Sequence, residues 1–134
     1  MTKLYLAGKL NNAETSLGGF AAELEDRGHA ITLKWWELPK LPTPYLANPV
    51  TSAPAAEDMV NAVLDADVCV LFPEDNILGA MGEFAIALGD KVTTRPDKEV
   101  IVVSPFEKRQ SVFYAHPGVL AVASLTEVRQ RPWY

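Results

Sequence analysis

Five short apolar runs, separated by stretches long enough for helices, constrain this chain of 134 residues more than any other feature. They fall at residues 4–7, 30–35, 68–72, 100–104 and 119–124, and are rich in Val, Ile and Leu. The third, Val68-Cys69-Val70-Leu71-Phe72, is apolar at every position. A strand with one wet face alternates apolar and polar residues, so an uninterrupted run suits a central strand covered on both faces. Between the runs the period changes. Leu17, Phe20, Ala21 and Leu24 recur at spacings of three and four, which predicts a helix over 13–27 with Gly28 as its stop. Helices are also expected over 55–65, with Met59, Val60, Val63 and Leu64 inward, and from about residue 80 to 88. Strands alternating with helices imply a parallel sheet with right-handed crossovers. The expected fold is therefore α/β: a small doubly wound, flavodoxin-like five-stranded parallel sheet flanked by helices, with 1–134 as one domain.

One segment breaks the pattern. Residues 37–54 hold five of the ten prolines, Pro39, Pro42, Pro44, Pro49 and Pro54. Proline lacks an amide donor and restricts the residue before it, so irregular backbone is expected there. A connection of that length in a compact domain is usually functional or mobile.

Composition excludes several classes of function. The formal net charge is −5 and no Lys/Arg cluster exceeds Lys108-Arg109, which argues against nucleic-acid binding. No apolar stretch approaches a membrane span, and the first residues lack the apolar core of a signal peptide, so a cytoplasmic location is expected. The single cysteine, Cys69, lies inside an apolar run and reads as a small buried hydrophobe. His29 and His116 have no metal-ligand spacing with a cysteine or a carboxylate pair, so neither a metal nor another cofactor is expected.

In an open α/β sheet, ligands bind at the carboxyl ends of the strands. The loop after the third strand is the most informative of these places. Glu83 is the only ionisable residue between Asp75 and Asp90, set among Gly79, Met81, Gly82 and Phe84. It is expected in the first turn of the helix that follows, where the helix dipole favours an ionised carboxylate. Gly79 and Gly82 would let a ligand approach the backbone closely. An ionised, partly dehydrated carboxylate with space before it is what attack on a sugar anomeric carbon requires. The commoner role of such a residue is to satisfy backbone amides at a helix start, and the residues alone leave both readings open.

Several segments resemble the nucleoside 2-deoxyribosyltransferase family, including its relatives that hydrolyse nucleotides. Lys3-Leu4-Tyr5-Leu6-Ala7-Gly8 resembles the family's first strand and small-residue turn. Asp58, followed by Ala66-Asp67-Val68-Cys69-Val70, resembles its acidic helix and central strand. Gly79-Ala80-Met81-Gly82-Glu83 resembles its Gly-x-x-x-Glu signature, and Ser111-Val112-Phe113-Tyr114 to His116-Pro117-Gly118-Val119 resembles a segment of its shorter members. The resemblance implies Glu83 as nucleophile, Asp58 as first candidate for the acid that assists the leaving base, and Tyr5 as a group orienting Glu83 or the sugar. Asp75 and Asn76, on the Glu83 loop, are the next candidates. Gly8, Lys9 and Ser111 are further candidate substrate contacts. The sequence departs from some members at Lys9-Leu10, where they carry an aromatic residue, and at Ile77-Leu78, where they carry an aspartate. Trp35, Trp36 and Tyr45 are the alternative stacking surface for a base.

The resemblance implies a deoxynucleoside or deoxynucleotide and a free nucleobase as small-molecule partners, and a homodimer or larger even homo-oligomer. Residues 110–116 and Arg131-Pro132-Trp133-Tyr134 are the expected subunit contacts. Transfer of the sugar between bases is the leading expectation. Hydrolysis of a deoxynucleoside monophosphate is the alternative, with Lys9, Asn11, Asn12, Thr15 or Ser16 as phosphate contacts near a helix start. A non-catalytic nucleotide-binding module is the third reading, and Glu83 argues against it.

Overall fold

The computed structural model describes residues 1–9, 17–74, 77–105 and 111–134. Five parallel strands form one sheet: β1 (Lys3–Ala7), β2 (Ala30–Ile31), β3 (Val68–Leu71), β4 (Glu99–Val103) and β5 (Val119–Val122). Their order is β2-β1-β3-β4-β5, that of a flavodoxin-like doubly wound fold. Four α-helices accompany them among the described residues: α1 (Gly18–Asp26), α2 (Pro49–Asp65), α3 (Leu78–Thr93) and α4 (Leu125–Val128).

Register divides the strand side chains between two cores. Leu4 pairs with Val68, Tyr5 with Cys69, Leu6 with Val70 and Ala7 with Leu71. Because side chains alternate along a strand, Tyr5, Ala7, Cys69 and Leu71 enter one cluster, with Ala62 and Val63 of α2 and Ala80, Phe84 and Ala87 of α3. Leu4, Leu6, Val68 and Val70 enter the other, with Phe20, Ala21 and Leu24 of α1. Both faces of β3 are thus covered, as its unbroken apolar run implies.

Four sequence expectations need correction. The second strand was expected over 30–35, but the ladder ends at Ile31 and the chain turns at Trp35–Glu37. The carbonyls that β1 presents on this edge explain the early end. Ala30 and Thr32 donate their amides to Thr2 and Leu4 at 3.0 and 2.9 Å. The next carbonyl, Leu6, takes the Trp35 indole N–H at 2.8 Å instead. A side chain closes the ladder, so the backbone is released to start the next loop.

Residues 37–54 are also more regular than their prolines suggest. A short helical turn occupies Tyr45–Ala47, and α2 begins at Pro49. Proline at the first helical position is favourable, since its fixed φ suits the helix and that amide has no partner anyway. Pro54 lies inside α2, and its missing amide deprives Val50 of a helical partner. Val50 is exposed, so water can serve its carbonyl. Within α2, Val63 is buried while Val60 and Leu64 turn outward. The inward line runs Met59, Ala62, Val63 and Ala66, and one further residue is a rotation of about 100°. The expected helix over 80–88 extends from Leu78 to Thr93. The helix expected over 13–27 is seen as α1, residues 10–16 lying outside the described residues. Gly28 follows it with φ +88°, a left-handed conformation suited to glycine.

Candidate functional site

The sheet order reverses between β1 and β3, which opens a crevice at their carboxyl ends. A cavity of about 600 Å³ lies there, lined by Gly8 and Lys9 after β1, Trp35 after β2, and Ile77, Leu78, Gly79, Ala80 and Glu83 after β3. Its remaining wall comes from Leu41, Tyr45, Leu46 and the face of α2 that carries Ser52, Ala55, Ala56 and Met59. That spacing of three, four and seven is one side of a helix. A second cavity, about 800 Å³, is lined by Pro73, Glu74, Met81, Val103, Ser104, Pro105, Ser111 and Tyr114. The two share Lys9 and Ile77.

Glu83 is the ionisable group at the centre of this arrangement. It was expected in the first turn of its helix, but α3 begins at Leu78. The bond from the Met81 amide to the Ile77 carbonyl, 2.8 Å, starts the helix early. Glu83 therefore lies in the second turn, beside the inward line of Ala80, Phe84 and Ala87, where the terminal dipole is weak. The outcome is the reverse of the expected one. Burial pushes the Glu83 carboxyl up to about 7, against a smaller opposing effect of Tyr5. Tyr5 projects from β1 on the same face. Burial, and then the neighbouring Glu83, raise its phenol well above the ordinary range. The Tyr5 hydroxyl makes no hydrogen bond of good geometry, yet each group shifts the other. They are adjacent without being locked together. Cys69, paired with Tyr5 in the sheet, is pushed up to about 12 by burial and then by Glu83, an inert thiol at neutral pH.

The other candidate residues divide. Gly8, Lys9 and Gly79 line the cavity with Glu83. Gly8 has a packing reason as well, since a Cβ there would meet Leu17 Cδ1 at 2.9 Å. Open space surrounds Gly79 and Gly82, but Gly82 lines neither cavity. Asp58 is exposed on α2 and also lines neither. It falls between the cavity-facing positions Ala55, Ala56 and Met59, on the solvent side. Trp35 lines the cavity, whereas Trp36 packs against the core on the other face of the sheet. Ser111 lines the second cavity, and its hydroxyl accepts from the Phe113 amide at 3.3 Å. Asp75, Asn76, Asn11, Asn12, Thr15 and Ser16 lie outside the described residues. Arg131 and Trp133 donate to Glu99, and Tyr134 donates to Glu23.

Sequence reasoning missed the α2 wall, Leu41 and Leu46. The helical spacing of Ser52, Ala55, Ala56 and Met59 was a usable signal, hidden because Pro49 and Pro54 read as breakers rather than as a helix start. The Tyr114 hydroxyl donates to the Met81 thioether at 3.2 Å, a long-range contact with no sequence signature. Among the described residues, no group of three or more His, Cys, Asp or Glu is placed to hold a metal ion, and no helix is long and apolar enough to cross a membrane.

No family model and no curated protein matches the sequence. Solved structures share the fold. A 2-deoxyribosyltransferase from the psychrotolerant bacterium Bacillus psychrosaccharolyticus aligns with a TM-score of 0.65 and 19% identity, covering 98% of this chain and 93% of its own. A CMP N-glycosidase from Clostridium botulinum aligns with a TM-score of 0.63 and 13% identity, covering 90% of this chain and 86% of its own.

Proposed function

We propose that this chain cleaves the N-glycosidic bond of 2′-deoxynucleosides and transfers the sugar to a second base, as a nucleoside 2-deoxyribosyltransferase. The observation that carries the reading is Glu83: a desolvated carboxyl beside Tyr5, facing a cavity at the sheet's switch point. The shared fold of two enzymes that act on such bonds supports it. In the first half-reaction the ionised Glu83 attacks C1′. The C1′–N bond breaks, its electron pair goes to the base nitrogen, and a deoxyribosyl ester of Glu83 forms. The base nitrogen takes up a proton. Since Asp58 faces solvent, we assign that proton to Asp75, which lies in sequence between Glu74 and Ile77, residues of the cavity walls. In the second half-reaction the nitrogen of an incoming base attacks C1′, loses its proton, and Glu83 leaves as carboxylate. The apolar residues that line the cavity with Glu83 slow the competing attack by water.

The second cavity favours one other reading. Joined to the first at Lys9 and Ile77, and carrying Ser104 and Ser111, it has room for a 5′-phosphate. In that case water resolves the ester and the chain is a deoxynucleoside monophosphate N-glycosidase. Product analysis separates the two. A deoxynucleoside with an excess of a different base should yield the mixed nucleoside. Absence of that product, with faster cleavage of the monophosphate, selects the hydrolase. Binding without base release in either case means a non-catalytic module. The same reading expects a homodimer or larger even assembly, with the exposed Val112 and Phe113 at the contact. A monomer by light scattering at working concentration contradicts that expectation.

A further inference from the structure

The walls of the main cavity differ in polarity. Lys9 and Glu83 stand at the strand ends and on α3. The rest of the lining includes Leu41, Leu46, Pro49, Ala56 and Met59, whose side chains carry no N–H or O–H donor. Ser52 is on this lining too, with its hydroxyl covered and without a hydrogen-bond partner. Tyr45 contributes a ring that is itself largely exposed. Leu46 and Leu78, both on the lining, are 97% and 90% exposed. Single exposed leucines are ordinary. Two on one cavity lining, beside an exposed tyrosine, form an apolar surface that is exposed among the described residues.

An unmodified nucleobase matches this wall poorly. Its ring nitrogens and exocyclic amine are strong donors and acceptors. Each one turned toward hydrocarbon loses its water without a replacement, about five- to hundredfold in affinity. At about 600 Å³ the cavity is in the middle of the range for drug-sized ligands. Its hydrocarbon wall needs a ligand with hydrocarbon of its own.

We infer that the leaving group this site prefers is a base carrying a large apolar substituent, alkyl or aryl, on its exocyclic amine. The substituent caps the polar edge and covers Leu46, Leu78 and Met59, while the sugar keeps to the side of Lys9 and Glu83. This inference rests on the glycosidic reading above for the orientation of the ligand, but not for the preference itself.

The test uses the intact protein and two pairs of probes. Calorimetry compares adenine with adenine benzylated on its exocyclic amine. Initial rates of base release compare deoxyadenosine with its equivalent benzyl derivative. The benzylated base should bind at least about tenfold more tightly, and the benzylated nucleoside should show a similar gain in kcat/KM. Ala56→Phe, at an exposed position on the apolar wall, should remove that preference by filling the space. Equal or weaker binding of the benzylated base, or no binding of it, overturns the inference. Cleavage of both nucleosides without preference also overturns it and leaves the glycosidic reading standing. Tighter binding of the benzylated base with no cleavage of either nucleoside supports the inference and sinks the glycosidic reading.

Discussion

The two ends of the sheet treat charge in opposite ways. At the amino ends of the strands, charges meet partners. Lys98, fully buried, donates to Asp90 at 2.6 Å and to the Val63 carbonyl at 2.8 Å. Arg95 donates to Asp67 at 2.7 Å, and the Lys3 amide donates to the same carboxylate at 2.9 Å. Those two bonds, the Lys3 amide first, hold Asp67 below the usual carboxylate range despite some burial. At the carboxyl ends the reverse holds. Glu83 is desolvated and raised to about 7, and the Tyr5 hydroxyl lacks a good hydrogen bond. One end is built for stability. The other keeps a carboxyl in an unfavourable state, which the proposed function gives a use.

The sharpest way to break this contrast is to remove the Glu83 charge. Glu83→Gln should lower base release at least about a thousandfold, because the amide cannot form the ester. It should also raise stability at pH 8. A carboxyl raised in the folded state, from 4.5 to about 7, favours folding least when ionised. The penalty is absent below the unfolded pKa, grows between about 4.5 and 7, and is complete above. The gain for the variant is at most on the order of 3 kcal/mol. Urea denaturation of both proteins at pH 4 and pH 8 reads it: equal stability at pH 8 contradicts the assignment, and a fully active variant removes Glu83 from the mechanism.

Next in size is the opposite substitution at the opposite end. Lys98→Ala strands Asp90 and empties a buried position, and should cost about 3–5 kcal/mol. Denaturant midpoints measure the loss. Activity per folded molecule should change little, since Lys98 lines neither cavity. A loss of activity that outruns the loss of folded protein would mean the two ends are coupled.

A smaller effect sharpens the role of Glu83 without any mutation. If the carboxylate is the nucleophile, the acid limb of kcat/KM should climb with pH through a midpoint near 7, as the reactive form becomes complete. A profile flat between pH 5.5 and 8.5 excludes a rate that depends on Glu83 ionisation.

The same contrast explains how far the sequence could be read. The strand runs, the helix line of Leu17, Phe20, Ala21 and Leu24, and the stop at Gly28 are local signals, and the structure follows them. Glu83 stood out because it is isolated among apolar and small residues. What was misread depends on distant partners. The indole of Trp35 ends β2 by taking the Leu6 carbonyl 29 positions away, and no window around Trp35 contains that fact. Asp58 looked catalytic by its place in the chain, but one-residue differences on a helix decide which side faces the cavity. The charge state of Glu83 was expected from the helix dipole, a local effect, while burial by other elements determined it.

The least effect expected comes from the last residues of the chain, where pairing is redundant. Glu99 accepts two bonds from Arg131, at 2.8 and 3.1 Å, and one from the Trp133 indole at 2.9 Å. Burial pushes its carboxyl up, but these bonds outweigh burial and hold it below the ordinary value. Trp133→Phe removes the indole bond and keeps an aromatic ring against His29 and Tyr134. Arg131 still holds the carboxylate, so no charge is left without a partner, and the cost should be about 1 kcal/mol. Its pH dependence gives the sign. A lowered carboxylate contributes stability above its unfolded pKa, and that contribution fades as pH falls through the folded value. The difference between Trp133→Phe and the parent should therefore shrink on acidification and hold steady from pH 6 to 8. A cost that instead grows as pH falls would show that Trp133 acts through packing near the protonated form, and not through Glu99.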